Sequence, residues 1–442
     1  MGSEHGVAPV SAAGRPAQCT PSPGLPRVSF DGLWDELAAV GRNPGTGGYR
    51  RYAWDAAELE CREWFVAAAS RRGLDVEADG NGNLWAWWGD PAVGGAVVVG
   101  SHLDSVPDGG AFDGPLGVVS AFAAIDVVRS RGIVPTRPVG VVAFSDEEGA
   151  RFGVACVGSR LLTGALSPDR ARSLTDDSGT TMADAMRAAG HDPHRVGPEP
   201  DRLGRIGYFV ELHVEQGRVR PVATGAAVPT TDDPHGLVEL GAPVGVATAI
   251  WPHGRWRVDL PGRADHAGTT RLRDRADPML AFAAVVLGAR EAAVRHDTLA
   301  TIGKVDVRPG GVNAIPSHVT AWLDARGEDE ARVRSLVADV AELAPGDDPQ
   351  SSLTEESWTP ATVFDVELRD RVAALLDDVP LLPTGAGHDA GVLAAAGIRS
   401  GMLFVRNPTG VSHSPAEHAD HDDCLAGVEA LARVIEDLAS AG

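Results

Sequence analysis

The 442-residue chain carries 61 acidic against 39 basic side chains, a formal net charge of -22 and a pI near 5.0. Nucleic acid and anionic membrane surfaces, which need clustered Lys and Arg, are therefore not expected as partners. The length predicts two domains or three. No apolar run approaches the roughly 20 residues that span a bilayer, and the first residues carry no hydrophobic signal core. Cys19, Cys61, Cys156 and Cys424 form no C-x-x-C pair, so neither a disulfide framework nor a thiolate zinc site is expected and a reduced, cytoplasmic protein is.

Residues 1–26, rich in Gly, Ala, Pro and Ser without hydrophobic period, are expected to form a disordered leader. Apolar residues recur at helical spacing over 30–40 and again over 54–69. The turn signal Asp79-Gly-Asn-Gly82 then enters a predicted strand, Asn83-Leu-Trp-Ala-Trp-Trp88, whose tryptophans are read as packing. Residues 96–119 read AVVVGSHLDSVPDGGAFDGPLGVV. The β-branched run 97–99 predicts a strand buried on both faces. His102 and Asp104 at its end point the same way in extended geometry, the spacing of a metal-binding imidazole and the carboxylate that orients it. Asp113 follows among Gly109, Gly110 and Gly114, which allow close backbone approach to an ion, and a helix is expected after Pro115.

Three further strand ends repeat the theme. The strand 139–144 runs into Ser145-Asp-Glu-Glu-Gly149, where adjacent glutamates diverge, so one is free to bind a metal while the other moves protons. Alone, this segment reads more readily as a solvated acidic turn. In Tyr208-Phe-Val-Glu-Leu-His-Val-Glu-Gln-Gly217, Glu211, His213 and Glu215 alternate with apolar residues. The fourth strand, 402–405, precedes Val411-Ser-His-Ser-Pro415 with His413. Open α/β sheets form their ligand crevice at this carboxyl edge. Three histidines with two or three carboxylates suit a pair of Zn²⁺ or similar ions sharing one carboxylate.

Between 221 and 360 the pattern changes to a strand (244–260), a helix (278–294), strands (301–307, 319–324), a helix (328–343) and a last short strand. That β-α-β-β-α-β order predicts a ferredoxin-like unit inserted into a larger α/β domain. The expected division is a leader over 1–26, one domain over 27–220 and 361–442, and the insert over 221–360. The insert carries Asp265-His-Ala-Gly268, Asn313 and Arg326, which by themselves read as a loop histidine, a turn residue and a surface cation. Gly385-Ala-Gly-His-Asp-Ala390 has the letters of a dinucleotide fingerprint but no convincing strand before it and no acidic residue placed for a ribose, so no nicotinamide cofactor is expected. The G-x-S-x-G elbow of serine hydrolases is absent.

The strings GSHLDSVPDGGAFDGPLGV, DEEGARFG, ELHVEQG, ADHAGTT, VNAIPS and GVSHSPAEH resemble those of the dinuclear-zinc aminoacylase and exopeptidase superfamily. More narrowly, they resemble its hydantoinase/carbamoylase amidases: allantoate amidohydrolases, N-carbamoyl-L-amino-acid hydrolases and β-ureidopropionases. The resemblance implies an α/β, mixed-sheet, zinc-exopeptidase-like catalytic domain whose ferredoxin-like insert is a lid that also forms a homodimer. It implies two divalent ions, Zn first with Mn, Co or Ni as alternatives, held by His102 and His213 on one side and Glu148 and His413 on the other, with Asp113 bridging. Asp104 would then orient His102, Glu147 would be the general base, and His266 would stabilise the oxyanion from the neighbouring protomer. Asn313 and Arg326 would hold a substrate carboxylate, with Gln216 and His388 as further substrate contacts. The activity implied is hydrolysis of a ureido or carbamoyl C–N bond in a small carboxylate, with allantoate as first choice, an N-carbamoyl-L-amino acid second and a dipeptide third. An inactive carboxylate-binding relative is the alternative of another class. Departures from the family pattern are Ala150, Arg218, Arg271-Leu272 and the Pro-rich connection 221–243.

Overall fold

The computed structural model describes residues 27–217, 236–343 and 351–440. The expected leader, Arg218 and most of the Pro-rich connection lie outside the described residues. Among those described, the strands in chain order are β1 (Asp75–Ala78), β2 (Leu84–Trp88), β3 (Ala96–His102), β4 (Val139–Phe144), β5 (Ile206–Val214), β6 (Val244–Ile250), β7 (His253–Pro261), β8 (Asp265–His266), β9 (Leu299–Arg308), β10 (Ala314–Ile315), β11 (His318–Arg326), β12 (Ser352–Thr359), β13 (Thr362–Val363), β14 (Leu381–Thr384) and β15 (Arg399–Val405). The large sheet runs β1-β2-β4-β3-β5-β15-β6-β13, with β14 also on β6. Its four central strands, β4, β3, β5 and β15, are mutually parallel, and β1, β2 and β13 pair antiparallel to their neighbours.

The valine run of β3 explains the layering. Val97 and Val99 pack into one core with the helices Pro115–Ser130 and His421–Ser440, while Val98 packs into a second core with Trp85, Phe209 and Leu393 on the opposite face. Both faces are covered, so the strand reads as continuously apolar, and each fully buried valine contributes roughly 1.5–3 kcal/mol. The tryptophans are packing residues: Trp85 and Trp87 stack with centroids 5.7 Å apart, and their indoles donate to Asp79 and Glu77.

The smaller unit runs β7, helix Pro278–His296, β9, β11, helix Glu330–Leu343, β12, with sheet order β12-β7-β11-β9. Two details differ from the sequence reading. The strand expected over 244–260 is two strands, β6 in the large sheet and β7 in the small one, parted at Trp251-Pro252. Pro252 has no amide to continue a ladder, and the chain crosses between sheets there. A strand does precede Gly385: β14 lies parallel to β6, its register broken at Pro383, which disguised it. Among the described residues no helix is long and apolar enough to cross a membrane.

Candidate metal centre and active site

Register places the carboxyl ends of the central strands level, His102 beside Phe144 across β3 and β4, and His213 beside Phe404 across β5 and β15. Donor residues separated by hundreds of positions therefore meet at one edge. Asp113 stands at the centre. Its Oδ1 lies 3.5 Å from His102 Nε2 and 3.1 Å from His213 Nε2, and its Oδ2 lies 3.4 Å from His413 Nε2. Glu148 reaches His413 Nε2 at 3.5 Å. Two overlapping donor groups result, His102–Asp113–His213 and Asp113–Glu148–His413, each with ligand atoms within 4.8 Å of one another. His102 Nε2, His213 Nε2 and Glu148 Oε1 are buried without a hydrogen-bond partner. Orphaned donor atoms converging from imidazoles and carboxylates fit divalent cations of the Zn²⁺ type.

The supporting contacts are equally specific. His102 Nδ1 lies 3.2 Å from the Asp104 carbonyl and 3.5 Å from its carboxylate. That carboxylate accepts the amides of Glu147 at 3.1 Å and Glu148 at 3.0 Å, so Asp104 pins the acidic loop as well as facing the imidazole. Asp146, at φ 53°, makes the sharp turn from which the two glutamates diverge. Glu148 faces His413, whereas Glu147 Oε2 lies 3.7 Å from His102 Nε2 and its Oε1 accepts the Cys156 thiol at 3.3 Å. Glycine is required twice in the Asp113 loop: a Cβ at Gly114 would sit 2.4 Å from the His102 ring, and one at Gly110 would sit 2.1 Å from Glu417 Oε1.

Glu417 and Ser412 are the supports that sequence reasoning missed. Glu417 Oε1 accepts the amides of Phe112 and Asp113, both at 2.9 Å, and its Oε2 accepts Ser412 Oγ at 3.0 Å. Both lie inside the GVSHSPAEH string, four residues or fewer from His413, which was the available signal. Burial sets the electrostatics. It pushes Glu147 up to about 7, with His102 opposing and Asp104 adding to the rise. Glu148 rises well above the usual carboxylate range through burial and the charges of Asp113 and Glu147. Asp113 goes the other way: burial is overcome by the imidazoles of His102 and His213 that face its carboxylate, which hold it well below. Asp113 and Glu148 would be relieved of that repulsion by a cation that both help to hold.

The centre opens into a cleft of about 500 Å³ that also meets Gln216, His388, Arg160, Arg255 and Arg326. Gln216 Nε2 donates to Asp113 Oδ2 at 2.8 Å, and the His388 ring stacks at a tilt 4.5 Å from that of His213. Arg326 is already forked onto Asp324, at 2.7 and 2.6 Å, and donates to the Gly385 carbonyl. His266 and Asn313 are not brought to this centre within the chain. They lie exposed together on the smaller unit, where Ala314 pairs with His266 across β10 and β8 and Ala267 N donates to the Asn313 carbonyl.

Residues 98–437 match the peptidase family M20/M25/M40, so most of the chain, including every donor above, falls within the match. The chain belongs to that family. Among its M20 relatives, the N-carbamoyl-L-amino acid amidohydrolase of Geobacillus stearothermophilus is 38% identical over 425 residues, covering 93% of this chain and 99% of that one. The allantoate amidohydrolase of Escherichia coli (strain K12) is 32% identical over 415 residues, covering 91% and 96%. Among solved M20 structures, AtUAH in complex with (S)-hydroxyglycine superposes with a TM-score of 0.82 at 26% identity, covering 94% of this chain and 98% of that one. A hydantoinase/carbamoylase family amidase from Burkholderia vietnamiensis gives 0.81 at 29% identity, covering 93% and 97%. This M20 chain is accordingly an amidohydrolase acting on C–N bonds.

Proposed function

We propose that this enzyme hydrolyses the ureido or carbamoyl C–N bond of a small carboxylate-bearing substrate, with allantoate as the first candidate. The observation that carries the reading is the shared carboxylate: Asp113 presents one oxygen to each donor group, and Glu147 stands beside them without belonging to either. His102, Asp113 and His213 would hold one divalent ion, and Asp113, Glu148 and His413 a second, Zn first with Mn, Co or Ni as alternatives. When bound, such ions supply Lewis acidity for the carbonyl and acidify a water. Glu147 takes the proton of the attacking water and passes it to the leaving nitrogen, a role suited to a carboxyl poised near neutrality. Asp104 keeps Glu147 in place through its backbone amide.

Arg326 and the partner's Asn313 receive the substrate carboxylate, Gln216 and His388 contact the substrate, and the partner subunit's His266, beside that asparagine, stabilises the oxyanion. The smaller unit is then a lid and a dimerisation surface. Its helix Pro278–His296 exposes Leu280, Leu287 and Val294 at seven-residue spacing, and β9 is an edge strand exposing Leu299 and Val305. Apolar exposure next to an unpaired strand edge supports a homodimer through this face. An N-carbamoyl-L-amino acid is the second reading, favoured by the 38% identical relative.

The test is a panel of allantoate, ureidoglycolate, N-carbamoyl-L-amino acids and dipeptides, scored for ammonia or amine release with and without a chelator. Metal-dependent release from a ureido or carbamoyl substrate is expected. Cleavage of dipeptides alone, or full turnover in metal-free protein, overturns the reading.

A further inference from the structure

The arginines that line the cleft differ in one respect. Arg326 has its charge compensated by Asp324 and uses three of its five N–H groups on Asp324 and the Gly385 carbonyl, and Arg255 donates to the Gly153 carbonyl and lies 3.9 Å from Asp324. Arg170 is exposed on the rim. Arg160, on the helix Val157–Thr163, is half-buried; its Nε is shielded from solvent, and among the described residues its guanidinium has no hydrogen bond and no ion pair. A half-buried guanidinium with no acceptor is costly unless a ligand supplies one.

Its position says what kind. Arg160 lines the metal-centre cleft and also a side chamber of about 390 Å³ that branches from it past His253 and His388. The chamber beyond is walled mainly by Ile250, Trp358, Val392 and Ala395, so the acceptor belongs at its mouth rather than its floor. Cys156 and His253 line the chamber with Arg160; neither supplies it with an anion, since burial pushes the thiol up and the imidazole down.

We propose that Arg160 is a specificity-determining residue that receives an acceptor oxygen on the substrate's second arm, the one that does not carry the scissile bond. The inference rests on the hydrolase reading above and deepens it. A substrate with three polar branches on one carbon is thereby selected. One ureido carbonyl goes to the metal centre, the carboxylate to Arg326, and a second carbonyl or carboxylate to Arg160. Allantoate has that second carbonyl, N-carbamoyl-L-aspartate a second carboxylate, and N-carbamoyl-L-alanine neither.

The experiment compares wild type with Arg160→Gln and Arg160→Lys on allantoate, N-carbamoyl-L-aspartate and N-carbamoyl-L-alanine. The ratio of kcat/KM for each acceptor-bearing substrate over N-carbamoyl-L-alanine is expected to fall roughly 10–100-fold in Arg160→Gln, the span of one hydrogen bond to a charged group. Partial rescue is expected in Arg160→Lys, with the loss carried mainly in KM. An equal loss on all three substrates, as a merely structural role would give, overturns the proposal; so does wild type that favours N-carbamoyl-L-alanine. Calorimetric binding of the same compounds to Glu147→Gln protein, with and without Arg160→Gln, reads the ratio without turnover. Wild type that cleaves the substrates but shows no Arg160-dependent ratio refutes this inference alone, and failure of every compound to bind or react refutes the hydrolase reading with it.

Discussion

Removing Glu417 tests whether the centre depends on a group that touches no substrate. In Glu417→Ala the amides of Phe112 and Asp113 lose their acceptor in a pocket where Glu417 is 4% exposed, and Ser412 loses one of its three partners. Each buried amide left unpaired costs about 1–3 kcal/mol, so the two together cost about 2–6 kcal/mol. The loop that loosens is the one presenting Asp113, and loss of such a support weakens metal binding roughly 10–100-fold. Glu417→Gln keeps a carbonyl oxygen for the same amides and gives up only the charge assistance, about 1 kcal/mol. Metal affinity is measured by competition with a chromophoric chelator, and stability by denaturant unfolding of the metal-free proteins. The expected order in both is wild type, then Gln, then Ala. An alanine variant with wild-type affinity and stability would refute the argument that Glu417 holds Asp113 in place.

Two further outcomes follow from the proposed roles. Glu147→Gln should retain metal yet lose roughly 10²–10⁴-fold in kcat, whereas Glu148→Gln should lose metal; metal analysis showing the reverse exchanges the two assignments. If His266 serves the partner's site, mixing Glu147→Gln and His266→Ala proteins under subunit exchange leaves about half the dimers mixed, each with one whole site of two. About a quarter of wild-type activity should then return, and its absence after confirmed exchange removes His266 from the neighbour's site.

Much of this protein is local information. The valines of β3 declare a strand covered on both faces, and the chemistry of His102, His213 and His413 at strand ends declares what kind of ligand that edge collects. Residue types and a period of two suffice for that, because neighbours along a strand fix which face each side chain takes. The partners across the site were decided elsewhere. Glu417 caps the Asp113 amide across 304 positions, Asp104 reaches the Glu147 amide across 43, and Asp113 divides its two oxygens between donors brought by different strands. Sheet order and register create those contacts, and neither leaves a periodic trace in the chain. The same holds for Pro252, where one apolar run is shared between two sheets, and for Arg326, whose charge is compensated by Asp324 while that of Arg160 is not. A charge shows in the sequence; whether it has a partner is settled only when the chain has folded around it.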